Sequence, residues 1–474
     1  MCGIAGIIDY NIPSESRTNK AALMADSLYR RGPDSHGLWS DDRVRITLAH
    51  RRLAIQDLSP LGHQPMHSKS GRYTIVFNGE IYNFRSIRQE LESVGSMFIG
   101  HSDTEVLLEA IDTFGLEKAL QKSRGMFALA LFDKTEKIVV LARDRIGEKP
   151  LYYSYTGSRL SFASDLNALS KSFDKKPSLN KNAIASYFRY GYISAPHSVY
   201  NEVNKLLPSE FIVFHLGETA IGEPLTRSYW NLPSGKTRTA SPLTNSSKLI
   251  TSIDATINSA IQEQSISDVA LGSFLSGGID STTVSAILQS QSSIPIDTFT
   301  IGFNDKSFNE AEFAKKIAGH IGSRHTELYV SGADALDLIP SIPTVYDEPF
   351  ADSSQIPMYL VSKLARSSVT VCLSGDGGDE LFCGYNRYLQ AQRTLKHQNR
   401  IPSSLRPVLK SLIQNVKPSS FDHAYAIATR LLGKRGGANS GAKLHKFAEL
   451  ICSESPSSAY KFLCSYWQNP QKLF

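Results

Sequence analysis

Two architectures in tandem are predicted, an α+β region of short alternating strands and then an α/β region with a parallel sheet and a helical tail. Three observations carry this expectation. Runs such as Tyr73–Phe77, Met126–Phe132, Lys137–Ala142 and Leu160–Ala163 have the short, bounded pattern of strands in the first part. Strand and helix patterns alternate in the second part, as a parallel sheet requires. Two glycine-rich loops there each follow an apolar strand, the arrangement found at the crevice where open α/β sheets hold their ligands.

The chain of 474 residues is long enough for two or three domains with full cores. Its hydrophobic content of 41% and charged content of 20% are those of an ordinary globular protein. The net charge of +6 is spread along the chain, and no Lys/Arg block forms a nucleic-acid stripe. No segment approaches the ~20 apolar residues of a membrane span, and the N-terminus has no signal-peptide pattern. Cys2, Cys372, Cys383, Cys452 and Cys464 are scattered and without metal-ligand spacing, which points to a reducing, cytoplasmic setting. No internal repeat or low-complexity tract is present.

The N-terminus opens Met1-Cys2-Gly3-Ile4-Ala5-Gly6, so removal of the initiator methionine would leave a cysteine first. Such a nucleophile has a built-in base, because its own α-amino group (ordinary pKa about 7.7–8.0) lies beside the thiol. Position 2 alone could be merely a small residue. The downstream motifs argue otherwise: Arg30–Asp34, Ala49–Ile55, Phe77–Asn83 and Ser102–Glu105 each have a job around an amide substrate. Asn78 and the Gly79 N–H can supply an oxyanion hole, and Arg52 a bidentate fork for an α-carboxylate. Asp103 and Glu80 can accept bonds from an α-ammonium. The bland alternative makes Asn78-Gly79 a hairpin turn between strands Tyr73–Phe77 and Ile81–Tyr82. The stretch Arg143–Tyr153 follows a strand and reads as a structured loop returning into another. Tyr187–Leu207 closes the first domain, and Leu207-Pro208-Ser209-Glu210 turns into a last hairpin. Asn231–Ser247, rich in Pro, Gly, Ser and Thr, is the expected linker.

Beyond the linker, the apolar strand Val269–Phe274 enters Phe274-Leu275-Ser276-Gly277-Gly278-Ile279-Asp280-Ser281-Thr282. Two glycines allow a tight turn whose N–H groups approach an anion, and the following helix N-terminus favours negative charge. That helix is expected over Asp280–Gln289, with Val284, Ile287 and Leu288 on one side. Asp297–Phe303 is a strand, and Glu310–Ile321 a helix with Phe313, Ile317 and Ile321 on one face. Asp347–Ser354 ends in a helix cap before Ile356. The strand Ser368–Leu373 then runs into Ser374-Gly375-Asp376-Gly377-Gly378-Asp379-Glu380-Leu381-Phe382. Three carboxylates on one glycine-rich loop repel unless a cation or a basic substrate group neutralises them, and hard oxygen ligands beside an anion-binding loop point to magnesium. Helical patterns over Ala424–Leu432, Lys443–Ile451 and Ser458–Trp467 make the tail.

Ser276-Gly277-Gly278-Ile279-Asp280-Ser281 resembles the pyrophosphate loop of the ATP-pyrophosphatases, which cleave ATP to AMP and pyrophosphate to activate a carboxyl or carbonyl oxygen. With the ordered N-terminal motifs, nearly the whole chain resembles the glutamine-hydrolysing asparagine synthetase family. Residues 2–215 match its class II glutamine amidotransferase domain, 216–247 a connecting segment, and 248–474 its synthetase domain. This resemblance implies an N-terminal-nucleophile sandwich of two antiparallel sheets with helices, then a parallel α/β domain like the adenine-nucleotide hydrolases. It implies that Cys2 attacks the glutamine amide, that Asn78 and Gly79 stabilise the oxyanion, and that Arg52, Asn78, Glu80 and Asp103 hold the amino-acid end. ATP would be bound by Leu275, Ser276, Gly277, Gly278, Asp280, Ser281, Ile301, Ser374 and Gly375, and Mg2+ by Asp280 and Asp379. Channelled ammonia would displace AMP from β-aspartyl-AMP, with Asp376 assisting its deprotonation. The partners implied are glutamine, aspartate and ATP, with a homodimer as the family's frequent assembly, and neither nucleic acid nor membrane.

The sequence departs from the family pattern in three places. Asp165 stands where many relatives have Glu, and Asp376 where some members have Glu and many close relatives share the Asp. A segment resembling Lys-x-Asp-Arg-x-Ser-Met, whose lysine contacts the reacting phosphate in the family, is not found from Tyr385 to Phe474, so a chain cut short of the family length is expected. The sequence is compatible with three activities: an asparagine-forming synthetase, a related amidotransferase with another carboxylate acceptor, or a shortened form keeping only glutaminase or binding activity.

Overall fold

The computed structural model describes residues 1–233, 246–304, 309–398, 400–431 and 440–473. Residues 234–245 of the expected linker and Leu432 of the expected tail helix lie outside them. The chain divides into two compact units, Met1–Tyr187 with Gly191–Gly375, and Phe188–Tyr190 with Asp376–Phe474.

The first unit begins with two six-stranded antiparallel sheets. Their strands are β1 (Gly3–Asp9), β2 (Ser35–Asp41), β3 (Ile46–Arg52), β4 (Met66–His67), β5 (Tyr73–Ile81), β6 (Gly125–Asp133), β7 (Ile138–Arg143), β8 (Tyr152–Tyr155), β9 (Arg159–Ala163), β10 (Asn204–Lys205), β11 (Glu210–His215) and β12 (Leu225–Ser228). One sheet runs β10-β8-β9-β1-β3-β2 and the other β12-β11-β7-β6-β5-β4. Because side chains alternate along a strand, β1 sends Ile4 and Ile8 into the sandwich and Ala5 and Ile7 to the opposite face. The inner face meets Val76, Ala128, Ala130, Phe132, Val139 and Leu141 of the other sheet. The outer faces are covered by helices: Ser14–Ser27 over the first sheet, and Phe84–Ser93 with Asp103–Phe114 over the second. Both faces of the central strands are therefore buried. This is why β1 and β5 read as almost continuous apolar runs rather than clean alternation.

The rest of the unit is a four-stranded parallel sheet made of β13 (Leu271–Phe274), β14 (Asp297–Phe303), β15 (Arg324–Val330) and β16 (Val371–Leu373), in the order β15-β14-β13-β16. The helix after β13 spans Ile279–Gln291, and Leu288 packs with Ile261 and Ile296. The helix Ala311–Ile321 corrects one expectation. Its buried face is Ala311, Ala314 and Ala318, whereas Phe313 is 63% exposed. The reason is proximity, because Ala314 and Ala318 pack on Leu275, and a Cβ on Gly277 would lie 3.2 Å from the Ala314 nitrogen. Only a small-residue face lets this helix approach the loop. Ser354 does sit at the N-cap of the helix Gln355–Ala365, but its side chain makes no cap bond; its N–H donates to Asp352 instead.

The second unit is helical. Helices Pro418–Leu431 and Ser440–Leu450 pack together, as do Asn386–Gln398 and Pro456–Leu463, around Leu450, Ala459 and Leu463. The last of these ends at Leu463, short of the expected Trp467.

Candidate active site

Cys2 immediately precedes β1, and its thiol lies against the residue that follows β3. The Leu53 N–H donates to Sγ at 3.4 Å, and the thiol faces the Leu53 carbonyl at 3.5 Å. Burial pushes the Cys2 thiol pKa up, while the same burial lowers the N-terminal amine to about 6. That amine is Met1's, one residue ahead of a thiol whose proton burial holds more tightly.

A cavity of about 50 Å³ opens beside the thiol and brings all six expected N-terminal site residues together, Cys2, Arg52, Asn78, Gly79, Glu80 and Asp103. The hairpin alternative at Asn78-Gly79 is overturned, since β5 continues straight through both residues and pairs with β6 from Tyr73 to Ile81. Gly79 is required by that pairing, because a Cβ would come within 2.2 Å of the Met126 carbonyl. Asn78 is fully buried, yet neither its amide oxygen nor its amide nitrogen has a hydrogen-bond partner. An unpaired buried amide costs ~1–3 kcal/mol, so this side chain is held ready for a polar guest.

The acidic end of the cavity is equally constrained. Ser102 caps the helix Asp103–Phe114 through the Glu105 N–H, which fixes Asp103 in its first turn. The Asp103 carboxylate accepts the Ile81 N–H at 2.8 Å, and burial raises its pKa to about 6. Burial, and then the neighbouring Asp103 charge, raises Glu80 to about 7. Two buried carboxylates whose pKa values lie near neutrality welcome a cation, which is what an α-ammonium group offers. Arg52 enters from β3 and is wrapped by a loop. Its guanidinium donates to the carbonyls of Gln56, Asp57 and Ser59, and a Cβ on Gly62 would lie 2.0 Å from Nη2. His50 ties the two sheets together, its Nε2 lying 3.1 Å from the Phe77 carbonyl, and burial lowers its pKa to about 3.

Several lining residues carried no signal in the sequence. Lys149 is only 4% exposed and its Nζ lies 2.7 Å from Met126 Sδ. It is placed by the buried Asp144 carboxylate, which accepts the N–H groups of Gly147, Glu148 and Lys149. Gln64 also lines the cavity, beside Thr104 of the Ser102–Glu105 motif. A lone lysine in a loop gives no periodic pattern; only the Arg143–Tyr153 loop as a whole was legible.

The second set of expected residues gathers at the carboxyl ends of parallel strands. Leu275 is buried and its N–H donates to the Phe299 carbonyl at 2.9 Å, while Ile301 lies further along β14. Gly277 has φ +85°, a left-handed conformation that favours glycine. Ser276 and Ser281 are hydrogen-bonded through their hydroxyls at 2.9 Å, closing the turn onto the helix Ile279–Gln291. Gly375, just after β16 and Ser374, packs against this turn, where a Cβ would lie 2.7 Å from the Ser281 nitrogen and 3.1 Å from the Asp280 Cβ. Asp376 and Asp379 belong to the second unit, where Asp379 lies in the short helix Gly378–Phe382. Among the described residues no group of three or more His, Cys, Asp or Glu side chains could hold a metal ion by itself.

Comparison with known proteins gives a consistent picture. Residues 1–230 match the glutamine amidotransferase domain family, and residues 252–463 match the asparagine synthase family. A putative glutamine-hydrolysing asparagine synthetase 2 of Methanocaldococcus jannaschii is 35% identical over 86% of this chain and 80% of its own length. The glutamine-hydrolysing asparagine synthetase 1 of Bacillus subtilis is 34% identical over 86% of this chain, which spans only 62% of that relative. A putative counterpart in Mycobacterium tuberculosis is 33% identical over 89% of this chain and 67% of its own length.

Proposed function

The chain belongs to the glutamine-hydrolysing asparagine synthetase family, and we propose that it forms asparagine from aspartate, using ATP and ammonia drawn from glutamine at Cys2. The observation that carries this reading is the buried, unpartnered Asn78 amide in the same cavity as Cys2, Arg52, Glu80 and Asp103.

Met1 lines the cavity beside Cys2, so its removal both exposes the cysteine amine and enlarges the space for glutamine. That amine then takes the thiol proton as sulfur attacks the amide carbon. The developing oxyanion is met by the Asn78 side chain and the Gly79 N–H. Returning the proton to nitrogen breaks the C–N bond and releases ammonia, and water hydrolyses the thioester to glutamate. Arg52 orients the α-carboxylate, while Glu80 and Asp103 accept the α-ammonium.

Ammonia is consumed at the second site. The turn Leu275–Ser281, ending at the N-terminus of a 13-residue helix, suits the triphosphate, and Gly375 brings the β16 loop against it. The aspartate β-carboxylate attacks the α-phosphorus and pyrophosphate leaves; ammonia then displaces AMP, with Asp376 as the proton acceptor. The Asp280 carboxylate, in the first turn of the helix Ile279–Gln291, would be one hard-oxygen ligand for Mg2+. Magnesium would supply charge neutralisation on the phosphates.

The test is aspartate-dependent pyrophosphate release from ATP, with glutamine and magnesium present and asparagine measured as product. Pyrophosphate released only with another carboxylate would replace aspartate as acceptor. Glutaminase without any pyrophosphate release would restrict the function to the first site.

A further inference from the structure

The loop that wraps Arg52 is not held by its own domain alone. Leu53, Ile55, Gln56 and Gly62 form one wall of the glutamine cavity, and the loop's carbonyls fix the guanidinium. At its centre Asp57 has φ +54°, a strained conformation for a residue other than glycine. Two kinds of contact hold it there. The fully buried Asp57 carboxylate accepts the Ser59 hydroxyl and N–H and the His101 N–H at 3.0 Å. From the other side comes Asp268, just ahead of β13. Its Oδ2 accepts the Asp57 N–H at 2.8 Å, and its own N–H donates to the Ile55 carbonyl at 3.0 Å. The His101 ring bridges the two carboxylates, 3.6 Å from Asp57 and 3.4 Å from Asp268.

We infer that Asp268 is a positioning residue of the glutamine site, supplied by the synthetase part of the chain. Its two bonds, to the Ile55 carbonyl and the Asp57 N–H, tie down the segment that enters the strained residue and hold the loop in the shape that presents the Arg52 fork. Asp268 touches no substrate; it acts through the loop. It also leads into the strand that ends in the Leu275–Ser281 turn, so the glutamine wall and the phosphate turn are anchored on one short segment. This inference rests on Cys2 being a glutaminase nucleophile.

The experiment uses the full chain and measures glutamine hydrolysis without ATP for wild type, Asp268→Ala and Asp268→Asn. Losing one hydrogen bond to a charged acceptor predicts a rise of about five- to tenfold in KM for glutamine in Asp268→Ala, with kcat within about twofold. Asp268→Asn keeps an oxygen acceptor and the backbone donor, so its KM stays within about twofold of wild type. A merely structural role would lower kcat through loss of active molecules and leave KM unmoved, and that result overturns the inference. So does an unchanged KM in Asp268→Ala, or a KM raised equally in both variants. No hydrolysis by wild type itself would instead overturn the assignment of Cys2.

Discussion

The glutamine cavity and the phosphate turn are built on opposite plans. The first lies inside a sandwich whose central strands are covered on both faces, and its polar groups are walled in: Asn78 0%, Asp103 5%, Arg52 8% and Glu80 8% exposed. Each fully buried Ile, Leu or Phe of the surrounding core contributes ~1.5–3 kcal/mol, enough to hold an unpaired amide and two carboxylates near neutrality. The phosphate turn stands on a four-stranded sheet with small clusters such as Phe299, Val361, Ala365 and Val369. Ser276 and Gly278 are exposed, and Ile279 is 85% exposed. The lesson is physical. A neutral zwitterion such as glutamine needs charges fixed in advance, whereas a triphosphate brings its own charge and needs mainly N–H groups and an open approach.

The strongest way to break the comparison is to silence one site and watch the other. Cys2→Ala should reduce glutamine hydrolysis by at least about a thousandfold, while ammonia-supported pyrophosphate release stays within about twofold. Gly375→Ala does the reverse. Its new Cβ would press on the Ser281 and Asp280 backbone, and pyrophosphate release should fall roughly a hundredfold with glutamine hydrolysis retained. If both activities fell together, the two plans would not be separable.

Acidity sharpens the contrast. Glu80 must be ionised to accept an α-ammonium, and its pKa is raised to about 7, so KM for glutamine should fall by up to about tenfold per pH unit as pH rises toward 7. Glu80→Gln should flatten that slope. The stability effect has the matching sign. A carboxylate whose folded pKa is raised contributes stability fully present below its unfolded value, about 4.3, and lost as pH rises through about 7. Unfolding by denaturant should therefore show Glu80→Gln gaining on wild type above pH 7. The smallest effect concerns His50, lowered to about 3 in the folded chain. Its stabilisation is present above the unfolded value near 6.5 and is lost as pH falls toward 3, costing roughly 1 kcal/mol by pH 5.5. Replacing His50 with Gln should remove that increment from the acid limb of the denaturation curve.

Much of both sites was legible in the chain, because each rests on contiguous motifs whose chemistry is local. Ser276-Gly277-Gly278 reads as a tight turn from its two glycines, and Cys2 as a nucleophile once the motifs downstream of it are counted. Asn78-Gly79 misleads by the same local logic. The dipeptide favours a turn, but pairing with β6 along the whole of β5 outweighs that preference. Phe313 misleads in another way, since helical spacing marks large apolar residues as the buried face and cannot reveal that a loop must come close.

The sequence by itself determined the order of the candidate motifs and, in the second part, the alternation of strand and helix that a parallel sheet requires, because periodicity and turn chemistry act over a few residues. Only the tertiary structure decided that Lys149 lines the glutamine cavity, that Asn78 is left unpaired, and that Asp268 from one region braces a loop of the other. Those facts depend on contacts between segments as much as 211 residues apart, and nothing in the local pattern records them.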